Sequence, residues 1–99
     1  MVLPYTWGMN RLYRLYMDLL MERGYLTLEE FVDMVPSMGD GFTAEEVEEF
    51  FDIMHSNIVE GIYTKAMEIG ASNVEEMVAM EYERLQKLKD LLMKKLGIE

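Results

Sequence analysis

The chain has no cysteine among its 99 residues, and it has a single histidine. Disulfides, zinc sites with thiolate ligands, iron-sulfur clusters and cysteine nucleophiles are therefore excluded. No run approaches the roughly 20 apolar residues that a membrane-spanning helix needs. The amino terminus also lacks the basic region and unbroken apolar stretch of a signal peptide. We therefore expect a soluble intracellular, cytoplasmic protein that does not insert into membranes.

Positive charge is missing from the middle of the chain. No Lys or Arg occurs from Gly24 to Thr64, whereas acidic residues are frequent there. The formal net charge of -10 repels nucleic acid and favours basic partners, so we expect no direct nucleic-acid binding. Five of the nine bases fall near the carboxyl terminus: Arg84, Lys87, Lys89, Lys94 and Lys95. We expect Arg84 and Lys87 to pair with the acidic middle of the chain.

No segment alternates apolar and polar residues as a half-buried strand would. Apolar residues make up 51% of the chain and charged residues 28%, which is typical of folded globular proteins and not of disordered ones. A chain of this length supports one hydrophobic core. We therefore predict a single small all-α domain over residues 1–99, with an irregular amino-terminal segment at residues 1–8.

Apolar residues at helical spacing predict three main helices plus one short helix. The expected bounds are about 9–23, 27–35, 44–69 and 74–96, of which 27–35 is the short helix. Only a short turn around Gly70 joins the last two helices, so we predict that they form a C-terminal antiparallel helical hairpin. Capping-box patterns predict three of the helix starts. These patterns are Thr27 with Glu30, Thr43 with Glu46, and either Ser72 with Glu75 or Asn73 with Glu76.

The two long helices each carry an apolar stripe along their whole length, and these stripes predict the core. The stripes are Val47, Phe51, Met54, Ile58, Ile62, Ala66 and Ile69 on the first, and Val74, Val78, Tyr82, Leu85, Leu88, Leu92 and Leu96 on the second. A second apolar strip, formed by Ile53, Tyr63 and Met67, lies away from the first stripe. We predict that this strip is a homo-oligomer interface. The alternative is that the segment 2–7 covers it.

Asp52 and His55 form the one pattern that suggests metal binding, because residues three apart share a helix face. A metal-binding bundle needs a second such motif from a facing helix, and the chain has no other histidine. We therefore predict no metal site and no cofactor, and a metal-binding bundle stays a distant alternative. No Ser-His-acid set and no glycine-rich phosphate loop is recognisable, so we predict that the chain is not an enzyme.

The overall character of the chain resembles that of one group of viral proteins. Cysteine is absent, glutamine occurs once at Gln86, charge is abundant, and Met and Tyr are frequent. In these features the chain is similar to the small proteins of filamentous and rod-shaped viruses of hyperthermophilic archaea, the lipothrixvirus and rudivirus families. The resemblance implies a thermostable protein that acts in the host-cell cytoplasm or the virion. It implies no active-site residue.

Two functions fit these observations. The first is a non-catalytic interaction module that assembles with itself or with another protein through the strip of Ile53, Tyr63 and Met67. It predicts a defined oligomer in solution. The second is an acidic decoy or inhibitor of a basic nucleic-acid-binding protein, whose affinity should fall steeply as salt rises. Its acidic surface would comprise Glu45, Glu46, Glu48, Glu49 and Asp52.

Overall fold

The computed structural model describes residues 10–38, 41–70 and 72–98. They form four α-helices: α1 (Arg11–Arg23), α2 (Leu28–Met34), α3 (Ala44–Ile69) and α4 (Val74–Leu96). A short 3-10 helix, Val35–Met38, follows α2, and the described residues contain no strand. The predicted all-α architecture of three main helices plus one short helix is confirmed. The predicted irregular segment at 1–8 lies outside the described residues.

Only one of the three predicted capping boxes forms completely. Thr43 accepts a hydrogen bond from the amide of Glu46, and the Glu46 carboxylate accepts one from the amide of Thr43. In α2, Thr27 accepts from the amide of Glu30, but its hydroxyl donates to the Glu30 carboxylate. The third box was wrong in both of its alternatives. The residue before α4 is Asn73 and not Ser72, its ψ is 34° instead of extended, and its side chain makes no capping hydrogen bond.

The start of α1 depends on a cap that the sequence interpretation missed. The side-chain oxygen of Asn10 accepts from the amide of Tyr13 at 2.7 Å. Its side-chain nitrogen donates to the backbone carbonyl of Glu46 and to the carboxylate of Glu49, each at 3.0 Å. Asn10 is buried, so these bonds replace the water that its amide group would otherwise bind. One residue thus caps α1 and joins it to α3.

α3 and α4 form the predicted antiparallel hairpin, which is the largest helix-helix contact of the described residues. Gly70 ends α3 in the left-handed conformation, with φ at 69°, and its amide donates to the carbonyl of Ala66. L side chains rarely adopt this conformation, so glycine suits the reversal of the chain. α1 packs against α3, and α2 packs against α4. The hairpin is therefore the frame on which the two shorter helices lie.

Phe50 lies at the centre of the core. Its ring contacts the rings of Tyr16 of α1, Phe31 of α2 and its neighbour Phe51, with centroids 6.0, 5.5 and 5.1 Å away. The Tyr16 hydroxyl donates to the carbonyl of Leu26 at 3.1 Å, and burial raises the pKa of Tyr16. Phe50 lies to one side of the predicted stripe. It is buried because α1 and α2 cover that side of α3 as well. Three helices thus meet on one buried aromatic cluster.

Two ion pairs join α2 to α4 of the hairpin. Arg84 of α4 pairs with Glu29 of α2 at 2.8 Å, which confirms the predicted pairing of Arg84 with the acidic middle. Asp33, one turn further along α2, pairs with Lys95 at 3.3 Å. No ion pair of Lys87 is present among the described residues. Because the two pairs follow α4 in the same order as α2, the helices run parallel.

Candidate functional site

The hairpin has two unequal ends. α1 and α2 pack on the end formed by residues 44–57 of α3 and 83–96 of α4, here called the packed end. The remaining residues, 58–70 and 72–82, form the open end. The buried core of the packed end includes Phe50, Met54, Leu85 and Leu92, whereas the described part of the open end contributes only Ala66. The same two helices are therefore well covered at one end and sparsely covered at the other.

The open end carries most of the large apolar side chains that solvent reaches. The exposed fractions are 48% for Tyr63, 84% for Met67, 66% for Ile69, 37% for Met77, 66% for Met80 and 52% for Tyr82. The prediction that both stripes are buried along their whole length was therefore wrong at Ile69 and Tyr82. The helix period was right, but the described residues provide no helix to cover this end. A concentration of exposed apolar side chains is typical of an interaction surface.

The predicted interface strip divides between the two ends. Tyr63 and Met67 are exposed at the open end, but Ile53 is 3% exposed and belongs to the core. The prediction that Ile53 is available to a second subunit was wrong. Glu46, Glu49 and Ile53 share a helix face, and Asn10 at the start of α1 bonds to both acidic residues. Whether segment 2–7 also covers this strip lies outside the described residues.

A groove runs between α3 and α4 at the open end, on the side of the hairpin that carries α2; we call it the trough. Its volume is about 460 Å³. Its lining comprises Ile58, Ile62, Met77, Met80, Glu81 and Arg84. Ile58 and Ile62 are half-buried, so their apolar side chains form the floor. The trough begins beside Arg84, which also binds the first turn of α2.

Arg84 forms the charged boundary between α2 and the trough. Its guanidinium donates two hydrogen bonds to the carboxylate of Glu29, at 2.8 and 2.9 Å, and a third to Glu81 at 2.8 Å. The hydrogen bonds from Arg84 lower the pKa of Glu29, and those carboxylates raise the pKa of Arg84. Because one cation serves two anions, this cluster keeps a net negative charge although each of its members has a partner.

Glu46, one of the five residues of the predicted acidic surface, is paired with Arg11. Arg11 donates to both carboxylate oxygens of Glu46 at 2.6 Å, and it also donates to the carbonyl of Gly41 at 2.8 Å. The hydrogen bonds from Arg11 lower the pKa of Glu46 to about 2. Glu46 is therefore part of the joint between α1 and α3, and it is not available as a carboxylate for a basic partner.

The other predicted acidic residues lie together on the outer side of α3. Glu45, Glu48, Glu49 and Asp52 are all exposed. Glu49 accepts a hydrogen bond from Asn10, and no ion pair of these four residues is present in the described part of the chain. We call them the acidic strip. Its charge fits that of a basic partner.

His55 contacts an aromatic ring and not a set of metal ligands. Its ring meets that of Tyr82 edge to face, with centroids 5.4 Å apart. Within residues 10–38, 41–70 and 72–98, no three histidine, aspartate or glutamate side chains lie close enough to hold a metal ion. The Asp52 and His55 pattern therefore gains no further ligands from the described part of the fold. The contact with Tyr82 instead joins α3 to α4.

Neither similarity to known proteins nor the character of the helices assigns a function to this chain. No protein-family model, no curated protein and no solved structure matches the chain. None of the helices in the described residues combines the length and the apolar character that crossing a bilayer requires. Any function assigned to this chain therefore rests on its own residues.

The sequence interpretation missed Met77 and Met80 as surface residues. They lie three residues apart on α4, and this spacing places them on one side of the predicted stripe. That spacing was visible in the sequence, but methionine is as common in cores as at binding surfaces. The position of α2, which does not reach the open end, leaves their side of α4 uncovered by the described residues.

Proposed function

We propose that the protein is a non-catalytic interaction module that binds another protein chain through the open end of the α3–α4 hairpin. The observation that carries this proposal is the concentration of exposed apolar side chains there. Met67 and Met80 are mostly exposed, and Tyr63 and Tyr82 are about half exposed. Leaving such side chains in water forgoes about 25 cal/mol for each Å² of apolar surface that a partner would bury.

The arrangement of the core supports the same proposal. Phe50, Leu85 and the residues around them form a buried core at the packed end, and the exposed apolar side chains of the open end are not part of it. Apolar side chains that lie outside the core and are exposed to water suit a surface that is buried on binding. The bound chain is either a second copy or another protein, and the solution mass distinguishes the two.

The test replaces Met67 and Met80 together by Glu and measures both stability and mass. We expect the free energy of unfolding of the isolated chain to change by less than about 0.5 kcal/mol, because both side chains are exposed. A loss of 2 kcal/mol or more at every protein concentration would show that these residues serve folding, and the proposal would then be wrong. Light scattering on the same two proteins shows whether any oligomer depends on them.

A second candidate function rests on the acidic strip. Glu45, Glu48 and Asp52 are exposed and have no ion pair among the described residues, which favours an acidic decoy or inhibitor of a basic nucleic-acid-binding protein. The test measures binding to a basic protein such as protamine over a salt series. The triple variant Glu45→Gln/Glu48→Gln/Asp52→Asn should weaken binding and flatten its salt dependence. Equal binding by both proteins would remove this candidate.

The thermostability implied by the viral resemblance stays a proposal with its own test. The Glu29, Arg84 and Glu81 side chains form a connected ion-pair network, a feature that gains importance at high temperature. Thermal unfolding with a midpoint above about 90 °C would support the resemblance, whereas a midpoint near 50 °C would be typical of a protein from a mesophile.

A further inference from the structure

We propose that the trough binds a basic, amphipathic helical segment of a partner protein, seated end to end with α2. This inference rests on the proposed interaction function and specifies the occupant of one part of the open end. It follows from the way in which α2 occupies the same side of the hairpin, from the shape and side chains of the trough, and from the charge of the open end.

α2 shows how this side of the hairpin holds a helix. Phe31 and Val32 are fully buried, and the Phe31 ring contacts Phe50 of α3, while the acidic residues of α2 pair with Arg84 and Lys95 of α4. α2 therefore has apolar contacts inward and ion pairs at its edge. It begins at Leu28, next to Glu29, which pairs with Arg84, and beyond this point the surface between α3 and α4 continues as the trough.

The floor of the trough has the shape and chemistry that suit a helix. Ile58 and Ile62 are one turn apart on α3, and Met77 and Met80 are nearly one turn apart on α4. Gly61 shares the face of Ile58, and beyond the adjoining backbone of α3 no atom lies within 4 Å of the position that a Cβ would take there. Flexible methionine side chains adapt to different apolar partners, and helix-in-groove binding uses anchors at this spacing.

Charge distinguishes a basic partner from a second copy. The open end contains five acidic residues and one base, a net charge of −4, in a chain whose net charge is −10. The acidic residues are Glu60, Glu68, Glu75, Glu76 and Glu81, and the base is Lys65. Two open ends would repel each other, whereas a helix with Lys or Arg beside its apolar anchors would be attracted. α2 is held by pairing of the opposite sense, since its acidic residues Glu29 and Asp33 meet the bases Arg84 and Lys95.

The experiment uses two synthetic peptides of 18 residues made from Leu and Lys only. One places Leu at i, i+3, i+4 and i+7 so that a helix has one apolar face, and the other has the same composition with that period removed. Binding to the whole protein is measured by fluorescence anisotropy at 0.15 M salt. We expect the periodic peptide to bind at least about tenfold more tightly than its isomer, since both carry the same charge and only one presents an apolar face.

Two double variants locate the site without changing the charge. Met77→Gln/Met80→Gln alters the trough, and Met21→Gln/Leu91→Gln alters two exposed apolar side chains that lie outside the open end and do not line the trough. We expect the first to raise the Kd for the periodic peptide at least about tenfold and the second less than about twofold. In spectra of protein with ¹³C-labelled methionine methyl groups, the peptide should shift Met77 and Met80 and leave Met21 unchanged.

The outcomes separate this inference from the proposed function. Equal binding of both peptides, or equal weakening by both double variants, would leave only charge attraction and would overturn the trough as a helix site. A wild-type dimer that becomes a monomer in Met77→Gln/Met80→Gln would mean that a second copy occupies the trough. In that case the interaction function would stand and the basic occupant would be wrong.

Discussion

The packed end and the open end of the hairpin are built from the same two helices with the same apolar period, yet they differ in exposure. At the packed end Phe50, Leu85 and Leu92 are almost fully buried, because α1 and α2 cover α3 and α4. At the open end Met67 and Met80 are exposed. An apolar stripe therefore indicates which side of a helix prefers cover, but it does not indicate whether the chain itself provides that cover.

The largest expected effect tests burial at the two ends. Phe50→Ala should lower the free energy of unfolding by about 4 kcal/mol, because it leaves a cavity where three helices meet. Met80→Ala at the open end should cost less than about 0.5 kcal/mol. Urea unfolding followed by circular dichroism gives both values. Similar losses from the two substitutions would remove the distinction between the ends.

The second prediction compares two asparagines that precede helices. Asn10→Ala removes the cap of α1 and two hydrogen bonds to α3, so it should cost about 2 kcal/mol. Asn73→Ala should cost less than about 0.5 kcal/mol, because the Asn73 side chain makes no capping hydrogen bond. The same unfolding measurement applies. A large loss at Asn73 would mean that the start of α4 is capped after all.

The third prediction concerns the loss of folding stability at low pH. The pKa of Glu46 is lowered from 4.5 to about 2 in the folded chain, so the stability from its bond with Arg11 is complete above pH 4.5 and is lost as the pH falls toward 2. Arg11 is 56% exposed, so solvent screening reduces the contribution to about 1 kcal/mol.

The matched variants for this test are Glu46→Gln and Glu45→Gln. Glu46→Gln should be less stable than the wild type at pH 7 and about equal to it at pH 2, as measured by urea unfolding at each pH. Its exposed neighbour gives the control, because Glu45 forms no ion pair in the described part of the chain. A pH-independent difference for Glu46→Gln would contradict the assigned bond.

The smallest expected effect has the opposite sign. Gly61→Ala should raise stability by about 0.5 to 1 kcal/mol, because alanine favours a helix interior and the position of its Cβ is open space. Thermal unfolding measures the gain. Gly70→Ala serves as the contrast, since φ at 69° disfavours alanine and stability should fall. A Gly61→Ala protein that is more stable but binds the periodic peptide less well would connect Gly61 with the trough.

Local signals predicted much of the fold because they depend on neighbours in sequence. The start of α3 follows from the Thr43 and Glu46 pair, and its end follows from Gly70. The same reasoning failed at Asn73, where the backbone before α4 is not extended. It also missed Asn10, whose importance comes from bonds to Glu46 and Glu49, more than thirty residues away.

The candidate site was predicted less well than the fold. Tyr63 and Met67 were identified as surface residues, but Ile53 was assigned to the same strip because the helix period alone cannot separate them. Burial of Ile53 depends on how α1 lies across α3, and exposure of Met80 depends on where α2 begins. Both depend on how the helices pack together, and the apolar period of one helix gives no information about that packing.

The sequence by itself determined the helices, most of their ends and the uneven distribution of charge, because these follow from spacing, capping and composition. Tertiary structure alone decided which apolar sides are buried and which carboxylates are paired. Glu46 resembles Glu45 in sequence, yet Glu46 pairs with Arg11 and Glu45 forms no ion pair in the described part of the chain. The physical reason is that burial and pairing require contact between distant segments, and packing of α1 and α2 against one end of the hairpin decides those contacts.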